Sequence, residues 1–333
     1  KKYTDNNSDR LIYKNIKSIT NNNFIDCNFL NTLCKNITLE FKDQIKLLKQ
    51  NYKKKDPIEY QYINSNFDNY KNGKIQRKKL GIKRYSTQNI NSNFSIKYNE
   101  FIRTNINKEK KILEINQINH KGRAIIINSK IQGWKILFNG NNEGELNGLV
   151  ENNLTGCLTI FKSEIENLKI ISKNLHCEDA INFVNSSGNI KEIVVENSIS
   201  DAVDADFSDL VFESVISKNS QNDCLDVSFG NYLLLNGNFK NCGDKAISVG
   251  EKSTLNITNS FIENSNIGIA SKDSAFVKAK NLDISNVEYC LSAYNKKQEF
   301  FGGKLMVDKF NCKNYSFKMQ KDNLSNIEIQ SNL

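Results

Sequence analysis

The clearest regularity in the chain is a stride of 22 residues. Starting at Ile181, the steps reach Val203, Leu225, Ile247, Ile269 and Leu291, six branched aliphatics in one column. Two residues further on, Phe183, Ala205, Val227, Val249, Ser271 and Ala293 form a second, mostly apolar column. A spacing of two puts both columns on one face of a strand. Val211, Leu233, Leu255 and Val277 recur at the same stride and mark a second strand in each repeat. Leu158 and Ile160 fit the first two columns at an offset of 23, and Trp134–Phe138 reads as the coil before. Polar segments such as 217–220 and 241–244 separate the strands as turns. Units this short leave no room for the crossover of a βαβ unit, and the leucine-rich horseshoe consensus is absent. The prediction is an all-β fold, a parallel β-helix solenoid with coils of about 22 residues stacked ~4.8 Å apart over aliphatic ladders.

The repeats occupy residues 111–333, and residues 1–110 are expected to cap them, because a bare first coil would leave a sheet edge and an open core. A short helix is expected from Asp43 to Lys54, with Ile45, Leu48 and Tyr52 on one face and Pro57 beyond its end. Irregular strands at Phe94–Tyr98 and Ile112–Ile115 would lead into the coils.

The positions between the inward columns point outward. One such column reads Asn182, Asp204, Asp226, Ser248, Ala270, Ser292, and the next Val184, Asp206, Ser228, Gly250, Lys272, Tyr294. Asp179, Asp201 and Asp223 form a further column at the turn into the strand, continued by Lys245. The column Ala180, Ala202, Cys224, Ala246, Gly268, Cys290 is uniformly small and reads as the floor of a groove. Asp201, Asp204, Asp206, Asp223 and Asp226 thus fall within two adjacent coils. Like charges stacked this closely repel, so some must hold a proton or meet a cation.

Three chemistries account for such a cluster. Glycoside hydrolysis needs one protonated and one ionised carboxyl, about 5–5.5 Å apart for retention and ~6.5–9.5 Å for inversion. Asp204 over Asp226 suits the first spacing and Asp206 to Asp226 the second. A calcium-dependent polysaccharide lyase would hold Ca²⁺ on Asp201, Asp204, Asp223 and Asp226 and use a lysine, Lys245 or else Lys272, as base. The third is structural, a ladder of Asp side chains bonding backbone N–H groups. Asn182, Ser248, Lys272, Tyr294 and Lys296 are the candidate contacts to substrate.

Composition adds constraints. The chain has 333 residues, 38% of them hydrophobic and 25% charged, and no run approaches the ~18 apolar residues of a membrane span. Asn occurs 53 times against one Pro, which suits polar turns and ladders. The net charge of +9 is uneven: residues 1–110 carry 23 Lys and Arg against 10 Asp and Glu, and the remainder 23 against 27. The basic runs 53–55 and 77–79 read as solvated surface, and no nucleic-acid-reading motif accompanies them. The eight cysteines show no C-x-x-C spacing, which leaves a zinc site unsupported and suggests buried thiols in a reducing compartment. Cys224 and Cys290 stand three coils apart, ~14 Å along the axis and beyond disulfide reach.

The segments 177–180, 201–208, 222–228, 243–251, 268–273 and 294–300 resemble the right-handed parallel β-helix module of bacterial proteins, often found with CotH-like domains, and more broadly the pectin-lyase-like superfamily. The resemblance covers about residues 120–310, and no CotH-like kinase signature is visible. That superfamily contains lyases, hydrolases, epimerases, tailspikes and non-catalytic adhesins, so what it implies is a carbohydrate-active protein acting on or binding an anionic, cell-surface polysaccharide. The alternative is a non-catalytic scaffold module of an envelope-related protein. Some β-helix lyases use an Asp cluster with a Lys base, which the resemblance permits here. The Gly-His-Gly element of polygalacturonase-type hydrolases is missing, with Gly243-Asp244-Lys245 at the comparable place. His120 and His176, the only imidazoles, lie outside the outward columns.

Overall fold

The computed structural model describes residues 70–71, 74–75, 85–141 and 155–330, and the chain divides into two compact units, Lys1–Lys78 and Lys79–Leu333. In the first unit, β1 (Tyr70–Lys71) and β2 (Lys74–Ile75) form an antiparallel pair. The expected helix at 43–54 and the basic runs lie outside the described residues. The second unit opens with two antiparallel hairpins, β3 (Ser86–Asn91) with β4 (Phe94–Tyr98) and β5 (Ile102–Asn107) with β6 (Ile112–Gln117). Residues 86–107, assigned to the cap from sequence, belong to the same compact unit as the coils.

From there the chain winds into a β-solenoid of about nine turns. One coil supplies β7 (Ala124–Ile127), β8 (Lys130–Gln132) and β9 (Lys135–Asn139), and the next β10 (Gly156–Phe161) and β11 (Glu164–Leu175). Then follow β12 (Asp179–Val184), β13 (Ser187–Ser198), β14 (Asp201–Asp206), β15 (Asp209–Ser220), β16 (Leu225–Ser228) and β17 (Asn231–Gly250). The later strands, β18 (Thr254–Lys272), β19 (Phe276–Tyr294) and β20 (Lys304–Lys321), run through the corners, and β21 (Asn326–Ile329) comes last. From β10 to β21 every coil-to-coil pairing is parallel. Among the described residues no helix is long and apolar enough to cross a membrane.

The first ladder is where the stride places it. Ile181 pairs with Val203, Val203 with Leu225, Leu225 with Ile247, Ile247 with Ile269 and Ile269 with Leu291, and all six are fully buried. Each such side chain contributes on the order of 1.5–3 kcal/mol by leaving water. The second ladder differs from the expectation. Val211 and Leu233 pair with each other but face half outward, while the buried column is Leu210, Tyr232, Leu255, Val277 and Leu305. The coil at Glu251–Ser253 has one extra residue, so Asn231 pairs with Thr254 at an offset of 23, and an irregularity between Cys242 and Lys245 restores 22. A slip of one residue moves a side chain to the opposite face. Trp134–Phe138 also lies elsewhere: β9 pairs with residues 169–173, and Leu158 is preceded in its column by Ala124.

The turns follow from local chemistry. Asn174, Asn197, Asn219, Asn241 and Asn264 all have φ between 58° and 60°. Asn tolerates this left-handed conformation better than most residues. From Asn197 onward each side-chain amide donates to the Asn one coil earlier, at 2.7–2.9 Å.

The cysteine expectation is overturned. Cys157–Cys177, Cys224–Cys242 and Cys290–Cys312 are disulfides with Cα separations of 5.5, 5.6 and 6.4 Å. In each pair one cysteine comes from the small column and the other from the following coil; the partners of Cys157 and Cys224 fall off the 22-residue stride, at 20 and 18 residues, while Cys312 stands one full stride after Cys290. The small column itself is core, with Ala180, Ala202, Cys224, Ala246 and Cys290 fully buried, so it is not a groove floor. Disulfides persist in oxidising surroundings, so cysteine usage gives no support to a reducing compartment. The replacement Cys224→Ala with Cys242→Ala opens a loop closed by 18 residues, with an expected cost of about 3 kcal/mol in urea unfolding. A midpoint unchanged from wild type would show that this bridge does not form.

Candidate acidic site

The carboxylates gather because three parallel strands stack in register. Asp179 pairs with Asp201, Asn182 with Asp204, Asp204 with Asp226 and Asp226 with Ser248. In β14 the sequence Asp-Ala-Val-Asp-Ala-Asp alternates Val203 and Ala205 inward with Asp204 and Asp206 outward. One oxygen from each of Asp201, Asp223 and Asp226 lies within 4.8 Å of the other two. Asn182 donates to Asp204 at 2.8 Å and, at 3.4 Å, to Asp179.

Part of the cluster is architectural. Asp201 Oδ1 accepts the Asp223 backbone N–H at 2.8 Å, and Asp223 Oδ1 accepts that of Lys245 at 2.9 Å, so the ladder ties three successive coils. Lys245, almost completely buried, directs its ammonium to Asp223 at 3.2 Å and to Asp244. Lys272 reaches back two coils to Asp226 at 3.4 Å. Gly250 makes this possible, since a Cβ there would stand 3.1 Å from Lys272 Cε. Lys297 pairs with Glu251, which also accepts from Ser228. Tyr294 is in register with Lys272. Lys296 is exposed and joins through its backbone alone, its N–H donating to Asp273 at 2.7 Å.

Burial sets the protonation pattern. It lifts Asp201 to about 7, helped by the charge of Asp223. It lifts Asp226 to about 6, with Lys272 holding it from rising further. Asp204 rises well above the carboxylate range through burial and then its neighbours Asp179, Asp206 and Asp226. Asp206 also rises, by burial and the charge of Glu251. The lysines move the other way from a catalytic base. Burial by itself would depress Lys245, but Asp223 and Asp244 outweigh it and the ammonium is held above its usual range. Lys272 is likewise raised, by Asp226 and Asp223 against burial.

An aromatic feature next to the carboxylates escaped the sequence reading. Phe207 and Phe229, each one residue past its strand, stack with ring centroids 4.6 Å apart at 5°, and Phe300 meets Phe229 edge-on at 6.0 Å. Phe207 is 56% exposed and Phe229 38%. Both take φ near +50°, an unfavourable conformation for a bulky side chain. The signal was available, since the two stand one stride apart. Thr159 was also missed: it pairs with Asn182 and extends the Asp204 column by one rung. No family model, curated protein or solved structure matches the chain.

Proposed function

We propose that the protein is a carbohydrate-active β-helix that binds a polysaccharide along the Asp204 column and cleaves it by glycoside hydrolysis. The observation that carries this reading is the exposed Phe207–Phe229 stack beside the half-buried carboxyls of Asp204, Asp206 and Asp226. Exposed aromatic rings offer flat apolar area for a sugar face. Asp204, lifted well above the usual carboxylate range by burial and its acidic neighbours, serves as general acid, and Asp226 is ionised above about 6 and serves as its partner. They stand on adjacent rungs, ~4.8 Å apart, close to the retaining spacing.

Hydrolysis is favoured over β-elimination because Lys245 and Lys272 keep their protons. A Ca²⁺ ion on Asp201, Asp223 and Asp226 would have to displace two ammonium groups already paired with Asp223 and Asp226, so the donor set fits calcium poorly. The competing scaffold reading draws on the Asp201 and Asp223 oxygens spent on backbone N–H groups. The superfamily resemblance belongs with this proposal and supplies only its substrate class.

The test uses oligosaccharides of neutral, uronate and amino sugars, with reducing ends followed from pH 5 to 8. Activity should rise through a pH of about 6 as Asp226 ionises, and Asp204→Asn should lower it by about 10²–10⁴-fold. Phe207→Asn, which suits the left-handed turn, should weaken binding without loss of stability. Absence of product and of binding with every sugar would leave the scaffold.

A further inference from the structure

The last long strand of the solenoid has an unpaired edge. β20 pairs with β19 from Lys304 to Lys321, but on its other side β21 meets it only at 304–307, and no described strand pairs there with 309–321. The apolar ladder therefore ends in water. Val287 and Leu291 are buried, whereas the residues next in register, Tyr315 and Met319, are 42% and 48% exposed. Phe317, stacked on Tyr289 with ring centroids 5.1 Å apart, is 53% exposed. Tyr315, Phe317 and Met319 alternate along the strand and so share one face, the spacing that a further strand would cover.

Charge changes at the same place. Over the equivalent rungs the two strands beneath carry acids and no lysine, Glu263 in 259–271 and Asp283 with Glu288 in 281–293. The edge itself, 309–321, carries Lys309, Lys313, Lys318 and Lys321 and no acid. None of the four forms an ion pair among the described residues. Lysines on an edge oppose pairing with a second copy, because like charges would face each other. They do not account for three exposed apolar side chains beside them. An acidic strand satisfies both features.

We propose that the edge from Lys309 to Lys321 docks an extended acidic segment of a partner protein, which adds as one more strand. Its apolar residues cover Tyr315, Phe317 and Met319, and its carboxylates meet the lysines. Residues 1–110 of this chain, themselves basic, are mismatched in charge as the occupant. The proposal is independent of the carbohydrate reading.

Labelled peptides of about nine residues, enough to cover 313–321, test it by fluorescence anisotropy with the intact protein. A peptide alternating Glu with Val and Leu should bind ~10-fold or more tightly than the same peptide with Lys for Glu, or with Pro at two central positions, which removes backbone donors. Lys318→Glu with Lys321→Glu should reverse the preference between the acidic and basic peptides, and Phe317→Ser should weaken the acidic one. Loss of fold cannot imitate that reversal, because the basic peptide gains. An unchanged preference in the double variant overturns the proposal. So does equal binding by the Pro peptide or by oligoglutamate of the same charge, since the edge would then read charge without adding a strand. Tighter binding of an oligothymidylate, or a dimer in sedimentation that Phe317→Ser abolishes, would assign the edge to a different occupant and overturn it too.

Discussion

Lys245→Met is expected to cost about 3–5 kcal/mol of folding stability, because it strands Asp223 without its cation in a nearly dry site. Asp223 is 2% exposed and Lys245 6%, so neither charge has water to fall back on. The double replacement Lys245→Met with Asp223→Asn should recover most of the loss, since an Asn oxygen can still accept the backbone N–H of residue 245. An exposed pair is the control. Lys218 and Glu196 are 3.9 Å apart with about half of each side chain in water, and Lys218→Met should cost less than about 1 kcal/mol. Urea midpoints of the four proteins test this. Equal losses for Lys245→Met and Lys218→Met would mean that the Asp223 site is wetter than its geometry implies.

The second large effect is an inverted dependence of stability on pH. Asp179, Asp201, Asp204, Asp206 and Asp226 all have folded-state pKa values above their unfolded values, chiefly through burial. Between the unfolded value near 4 and the folded one, the native state holds more protons, so stability falls as pH rises. For Asp201 the window runs from 3.8 to about 7, worth on the order of 4 kcal/mol by the end of it. His176 opposes this, because burial, His120 and Arg123 lower it and its neutral form is favoured as pH rises toward 6.5. Glu251 is also opposed, lowered by Lys297 and Ser228 against burial, but it acts below 4.5. Five carboxyls outweigh one imidazole, so thermal midpoints should drop between pH 5 and 8. Asp201→Asn with Asp226→Asn should flatten that slope. A midpoint that rises across the same range would refute the buried, mutually repelling arrangement.

The fold was legible where the side-chain period was strict. Six aliphatics from Ile181 to Leu291 sit at an exact stride, and strands that stack at constant offset must place them in one ladder. The aspartates were legible for the same reason, since Asp204 and Asp226 are one stride apart and stack in register. The Val211 column was misread because a single extra residue near Glu251 reverses facing, and a count along the chain does not register an insertion that a bulge later cancels. Two of the disulfides lie off the stride: Cys242 comes 18 residues after Cys224 and Cys177 comes 20 after Cys157, intervals that match no column but bring the two cysteines together around one corner, whereas Cys312 stands a full stride of 22 after Cys290 and was legible in the spacing.

The charge state of the site depends on distances that no stride contains. Lys245 reads from its column as a candidate base, and three-dimensional packing makes it a clamped ammonium between Asp223 and Asp244. Sequence by itself determined the repeating coil, its apolar interior and which acids share a face, because these depend on period alone. Tertiary structure decided the pairing of cysteines, the facing of Leu210 and Tyr232, the aromatic stack and the protonation of the aspartates. Those depend on how corners bend and how much water remains, which are properties of packed neighbours and not of spacing along the chain.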